Sequence, residues 1–224
     1  MVLTAAAPAR AAAPVVDELV VFKDGTSKTA AVRAASVHVK VGRRSCAVPA
    51  GTALAALVKL KPGKLGLTDY GSCSGRARDA GGLYVRSIAS DKARKEDGWV
   101  YKVGRKLAPA GAADPTGPFG RGLLKTGQDV LWFYCDADPV TGSCQRTLEV
   151  KVKASAGHLA ATVRGYDNNG HGIPVAGAQV HAGEATATTG DDGSAALDVP
   201  AGTYDVFADK DGLVRSLGQE AQVP

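Results

Sequence analysis

Apolar positions along this chain fall in short stretches separated by Gly, Asp and Pro. Residues 36–41 alternate strictly, Val37, Val39 and Val41 against Ser36, His38 and Lys40, which is the period of a half-buried strand. Gly42, Arg43 and Arg44 turn the chain and residues 45–48 return it, so this region predicts a hairpin. Thr52 is placed to cap a helix over residues 53–61, where Leu54, Leu57, Val58 and Leu60 make one apolar stripe before Pro62 ends it. A hairpin feeding a helix opens a β-grasp arrangement, and apolar strands at residues 83–88, 99–103, 130–135 and 147–152 are expected to complete its sheet. Residues 107–122, rich in Ala, Gly and Pro, read as a long surface loop. Upstream, residues 19–22 and 29–35 suggest a strand and its return, an N-terminal arm over residues 14–35. Downstream, residues 158–224 hold short strands between Gly, Asp and Pro turns, the pattern of a small antiparallel β-sandwich. The expected class is mainly β, with an α+β first domain.

Charge sharpens the division. Residues 1–154 carry 24 Lys and Arg against 13 Asp and Glu, a net of +11, whereas residues 155–224 carry 3 against 9, a net of −6. Domains at residues 36–153 and 158–224 follow, with Ala154, Ser155, Ala156 and Gly157 as a flexible join. A basic first domain can attract a polyanion, and Arg43, Arg44, Arg105 and Lys106, all at predicted turns, are the candidates to gather at sheet ends; singly spaced, solvated charges are the alternative.

The four cysteines suit two local disulfides. Cys135 and Cys144 bracket a turn-rich connection, and Cys46 and Cys73 span the helix entry. Zinc is the competing use of four thiols, but there is no Cys-x-x-Cys pair and no His near a Cys in sequence. Residues 1–13 read as the remainder of a secretory signal, with small residues at Ala9, Ala11 and Ala13 spaced for cleavage. No run approaches the ~18 apolar residues of a membrane span. A secreted or cell-surface protein is expected.

Catalytic motifs are absent. His38, His158, His171 and His181 show no metal-ligand spacing, and the nucleophiles Ser72, Cys73 and Ser74 have no histidine beside them in sequence. The chain is therefore read as non-enzymatic and without a cofactor. Asp167, Asp191, Asp192, Asp209 and Asp211, each in or next to an Asx-Gly turn, could offer oxygens to calcium, but none has EF-hand spacing and such turns are ordinary. The partners this leaves are a cell-surface polymer, a protein or a second copy; nothing points to nucleic acid.

Both tryptophans lie on predicted strands, Trp99 two residues before Tyr101 and Trp132 two before Tyr134. Each pair shares a sheet face, which is either core or a binding surface for a planar ligand. Together with Val48, Gly51, Thr52, Ala56 and Leu57, these blocks resemble a family of small extracellular domains named for likeness to the C-terminal β-domain of transcobalamin, over residues 36–153. That resemblance implies a domain closing over one face of a corrinoid. The turn at Val103 and Gly104 lacks the Asn usual there, and no helical barrel follows to enclose such a ligand. Gly172, Pro174, Val175, Gly177, Ala178, Val180, Gly193, Pro200, Gly202, Tyr204 and Val206 give residues 158–224 a resemblance to the carboxypeptidase regulatory-like, or prealbumin-like, sandwich module. The only asparagines are Asn168 and Asn169, none on the last strand, which argues against the Lys–Asn isopeptide bond of some such modules. The resulting expectation is a secreted surface-interaction or structural protein, a binding module on a β-sandwich spacer. Binding of a small planar ligand is the rival.

Overall fold

The computed structural model describes residues 12–224, so the secretory segment expected at residues 1–13 lies almost wholly outside the described residues. The chain is mainly β, 48% strand against 7% helix. Its first unit contains β1 (Val15–Val21), β2 (Ser27–Arg33), β3 (Val37–Val41), β4 (Arg44–Val48), α1 (Ala53–Leu60), β5 (Leu65–Asp69), β6 (Leu83–Ile88), β7 (Asp91–Lys92), β8 (Gly98–Val103), β9 (Lys106–Leu107) and β10 (Asp129–Cys135). The main sheet runs β2-β1-β10-β8-β9, with β1 parallel to β10 and its other pairings antiparallel. A first hairpin whose leading strand lies central and parallel to the last strand, with a helix packed on it, is the β-grasp order.

The hairpin that enters this sheet is the arm. β1 is buried on both faces: Val16 and Val20 point into the main core, and Leu19 and Val21 pack on the opposite side. Beyond the exposed Asp17 the strand has no solvent face, and so no alternation that reveals its central place. β3 and β4 instead form a separate two-stranded sheet, and β6 pairs with β5 and β7 in a third. α1 forms as its sequence dictates: the Thr52 hydroxyl accepts from the Ala55 amide at 3.3 Å, and Leu54, Leu57 and Leu60 are buried. The expected disulfides, Cys46–Cys73 and Cys135–Cys144, are both present.

The second unit comprises β11 (Thr147–Ser155), β12 (His158–Tyr166), β13 (Gly172–Pro174), β14 (Gln179–Ala182), β15 (Ala185–Thr188), β16 (Ser194–Asp198), β17 (Gly202–Asp209) and β18 (Gln219–Val223). One sheet holds β11, β12, β13 and β16; the other runs β15-β14-β17-β18, and all pairs are antiparallel. Leu148, Val150, Leu159, Val163, Val180, Leu197 and Val206 share their core. Residues 147–152 thus belong to the sandwich and not to the first sheet. Ala154 and Ser155 end β11, and Ala156 and Gly157 turn the β11–β12 hairpin, with Gly157 in the left-handed conformation the tight turn requires (φ 70°), so residues 154–157 are not a linker. The chain passes from one sheet system to the other between Cys135 and Thr147. A fragment of residues 146–224 is accordingly expected to show a cooperative β-type unfolding transition by circular dichroism. Residues 158–224 alone, deprived of β11 and of Leu148 and Val150, should not; a cooperative transition in the shorter fragment would show β11 to be dispensable.

The two units are in contact. Leu19, Val21, Leu131, Phe133 and Cys135, on the outer face of the main sheet, are covered by Val214 and Leu217 in one apolar cluster. Across the two units the Arg215 guanidinium donates to the Ser27 hydroxyl at 2.7 Å and the Leu107 amide to the Asn168 carbonyl at 2.9 Å.

Candidate functional site

The strand aromatics form one layer on the inner face of the main sheet. Tyr101 stacks on Trp132 at 4.9 Å between centroids, Trp99 meets Tyr134 edge-on at 6.0 Å, and Phe22 meets Trp99 edge-on at 6.1 Å. Trp99, Tyr101, Trp132 and Tyr134 are all buried. Three of their polar atoms are tied to local backbone: the Trp99 indole donates to the Asp91 carbonyl (2.9 Å), the Tyr101 hydroxyl to Ala110 (3.0 Å) and the Tyr134 hydroxyl to Lys92 (2.9 Å). They staple β7 and the 107–122 loop onto the sheet, which is work for a core. Burial raises the Tyr101 pKa, so its hydroxyl stays a donor. A cavity of about 230 Å³ does remain between these rings, β6 and residues 107–112. It is smaller than the ~300–1,000 Å³ of ordinary small-molecule sites.

Glu18 is buried in the same layer. Burial raises its pKa well above the ordinary carboxyl value, opposed by the neighbouring Trp132 indole, yet neither carboxylate oxygen nor that N–H completes a hydrogen bond.

The basic candidates are not gathered into one patch. Arg43 and Arg44 stand at the β3–β4 turn, with Arg44 paired to Asp69 at 3.1 Å. Arg105 and Lys106 lie at the β8–β9 turn of a different sheet. Arg105 is held by the second unit: its guanidinium meets both Glu149 carboxylate oxygens at 2.6 Å and stacks over Tyr166 at 4.6 Å. That pairing raises its pKa further.

A surface that these sequence candidates miss lies on the outer face of the β5–β6 pair. Thr68 faces Tyr84 across the ladder, and Tyr70, whose amide donates to the Gly82 carbonyl at 2.9 Å, sits diagonally from Tyr84. The two tyrosine rings lie 6.2 Å apart at 52°. Tyr70 is 79% exposed and Tyr84 36%, and theirs is the one aromatic pair among the described residues in which both side chains are exposed. With Thr68, Arg86, Ala93 and Lys95 they line a shallow depression of about 450 Å³. The Tyr84 hydroxyl packs against Gly98, where a Cβ would fall 2.8 Å from it. The burial pattern of residues 83–88 carries the signal: Leu83, Val85 and Ile88 are buried, leaving Tyr84 and Arg86 on the polar phase, where an aromatic stands out.

No family model, curated protein or solved structure matches this chain.

The remaining candidates are occupied by structural contacts. His158 meets Asp198 at 2.9 Å, His181 meets Asp209 at 3.0 Å and His171 meets Asp167 at 3.5 Å, while His38 is exposed. The Asp167 carboxylate accepts from the Asn169 and His171 amides, and Asp192 accepts from the Ser194 amide, which is turn chemistry that lowers both pKa values. Among the described residues, no cluster of three or more His, Cys, Asp or Glu side chains is arranged to hold a metal. No described helix is long and apolar enough to cross a membrane. A polar cleft of about 570 Å³ between the units carries both signs of charge, with Lys23 already paired to Asp136 at 3.3 Å.

Proposed function

We propose that the protein is a secreted, non-enzymatic surface-interaction protein whose first unit carries the binding surface and whose sandwich is a firmly attached support. The observation that carries this reading is the exposed Tyr70–Tyr84 pair with Arg86 and Lys95 in one depression, on the unit that holds the chain's positive charge. Buried aromatics are explained by packing, and exposed ones beside cations are what an interaction surface displays. Two disulfides favour an oxidising, extracellular setting. Among the described residues no metal-holding cluster of His, Cys, Asp or Glu competes with a binding role. The β-grasp order and the antiparallel sandwich also support kinship with the transcobalamin-like and prealbumin-like modules. The rival reading, a planar ligand on the strand aromatics, requires the 107–122 loop to lift and the Tyr101–Ala110 hydrogen bond to break.

The test is sedimentation with purified cell-envelope fractions. The Tyr70→Ala/Tyr84→Ala double variant is expected to lose binding by about tenfold or more while keeping its thermal midpoint within a few degrees. Envelope binding undiminished in that variant would remove the tyrosine shelf from the function.

A further inference from the structure

We propose that the Tyr70–Tyr84 depression is a site for an acidic polysaccharide whose pyranose rings bear carboxylates. This rests on the surface-interaction reading above and gives its ligand a chemical class. The two rings are tilted by 52°, so they do not form the flat platform a polycyclic planar ligand would need; successive sugar rings in a twisting chain present such changing faces. An aromatic face takes the C–H side of a sugar without demanding a particular sequence of hydroxyls. Burial, together with the nearby Tyr70 and Tyr134, raises the pKa of Tyr84, so its hydroxyl remains a donor to sugar oxygens.

The anion selectivity comes from the rim. Arg86 lies two residues beyond Tyr84 on the same face of β6, ~7 Å further along the strand, where its planar fork can meet a carboxylate on an adjoining sugar. Lys95 supplies a second cation from the Arg94–Asp97 turn. None of the residues lining the depression carries a carboxylate. Of the nearby acids, Asp69 accepts from the Gly71 and Cys73 amides and pairs with Arg44, and Asp97 accepts from the Ala137 amide, while Glu96, beside Lys95 in the turn, is exposed and lies outside the lining. A neutral glycan leaves both cations without a partner, and a polymer with phosphates but no rings in its backbone leaves the tyrosines without one.

The experiment is calorimetric titration of the full chain with three probes at low and high salt: polygalacturonate, its fully methyl-esterified form and a poly(glycerol phosphate). Polygalacturonate is expected to bind, and esterification to weaken it by about tenfold or more. Tyr70→Ala and Tyr84→Ala should remove the salt-resistant part of the affinity. Arg86→Gln and Lys95→Gln should remove the salt-sensitive part. Tyr70→Phe and Tyr84→Phe, which keep the rings, should retain most binding. Equal binding of the poly(glycerol phosphate), or polygalacturonate binding untouched by the tyrosine variants, overturns the proposal in favour of diffuse charge. Failure of polygalacturonate to bind while envelope sedimentation stays tyrosine-dependent overturns the ligand class and leaves the surface reading standing. Tyrosine independence in both assays overturns both.

Discussion

Replacing Lys102 with Met is expected to destabilise the whole chain by about 2–4 kcal/mol and to expose the connection between Cys135 and Thr147 to protease. Lys102 lies on β8 between Tyr101 and Val103, which face the main core, so its own side chain leaves the opposite face, and there the second unit covers it completely. Its ammonium donates to the Thr147 hydroxyl at 3.0 Å and to the Tyr166 and Asp167 carbonyls at 2.8 Å each. Three N–H donors meet three acceptors, every one of them from the other unit. Methionine fills similar space but strips those acceptors of their shared donor, and unsatisfied buried acceptors are the costly side of a lost hydrogen bond.

The pH dependence of the same residue has a definite sign. Burial lowers the Lys102 pKa from 10.5 to about 8, against a smaller opposing pull from Asp167. From about pH 8 up to the ordinary lysine value the unfolded chain binds the proton that the folded chain has released, so this residue's contribution to stability rises with pH there. Urea melts of wild type and Lys102→Met at pH 7 and pH 10 should therefore show a gap that widens at the higher pH. A variant as stable as wild type at both would mean that the Val214–Leu217 cluster and the Arg105–Glu149 pair hold the units together without it.

Lys102 also shows where sequence reading stops. On β8 Lys102 is the one charged residue among Trp99, Val100, Tyr101 and Val103, and a lysine on the phase opposite the aromatics signals solvent; the solvent is absent because another unit occupies the position, which no local period encodes. β11 was misplaced for a related reason. Its alternation reports that one face is buried but not against what, and the change in charge sign near residue 154 drew the boundary one strand too late. The arm failed oppositely, since β1 has two buried faces and no pattern. Where a strand has one wet face and its partners follow closely in sequence, as for β12 and β17, period and turn residues suffice. The disulfides were legible because each closes a local loop. The candidate site was half legible: Tyr84 and Arg86 stand out by phase, whereas Tyr70 and Lys95 reach them only through strand pairing and a turn.

Replacing Glu18 with Met is expected to stabilise the protein at neutral pH by about 1–3 kcal/mol. Glu18 is fully buried on the inner face of β1 between Val16 and Val20, pairs in register with Ala30 and Val130, and neither of its carboxylate oxygens has a hydrogen-bond partner. Its folded pKa stands well above the ordinary value of 4.5, with burial the dominant cause and the Trp132 indole opposing it. As pH rises through 4.5 the unfolded chain ionises while the folded chain keeps its proton, so the folded state binds more protons and wild-type stability falls until the folded group itself ionises. Methionine, unbranched and of similar length, retains the volume and removes the titration. The stability difference between variant and wild type should be small below about pH 4, grow as pH rises and level off above the folded pKa. Denaturant melts from pH 3 to pH 9 measure this directly. A variant that loses stability at pH 7 would show that an ionised Glu18 gains more from Trp132 than burial takes away, and would make that carboxylate a structural partner of the aromatic layer instead of a cost carried within it.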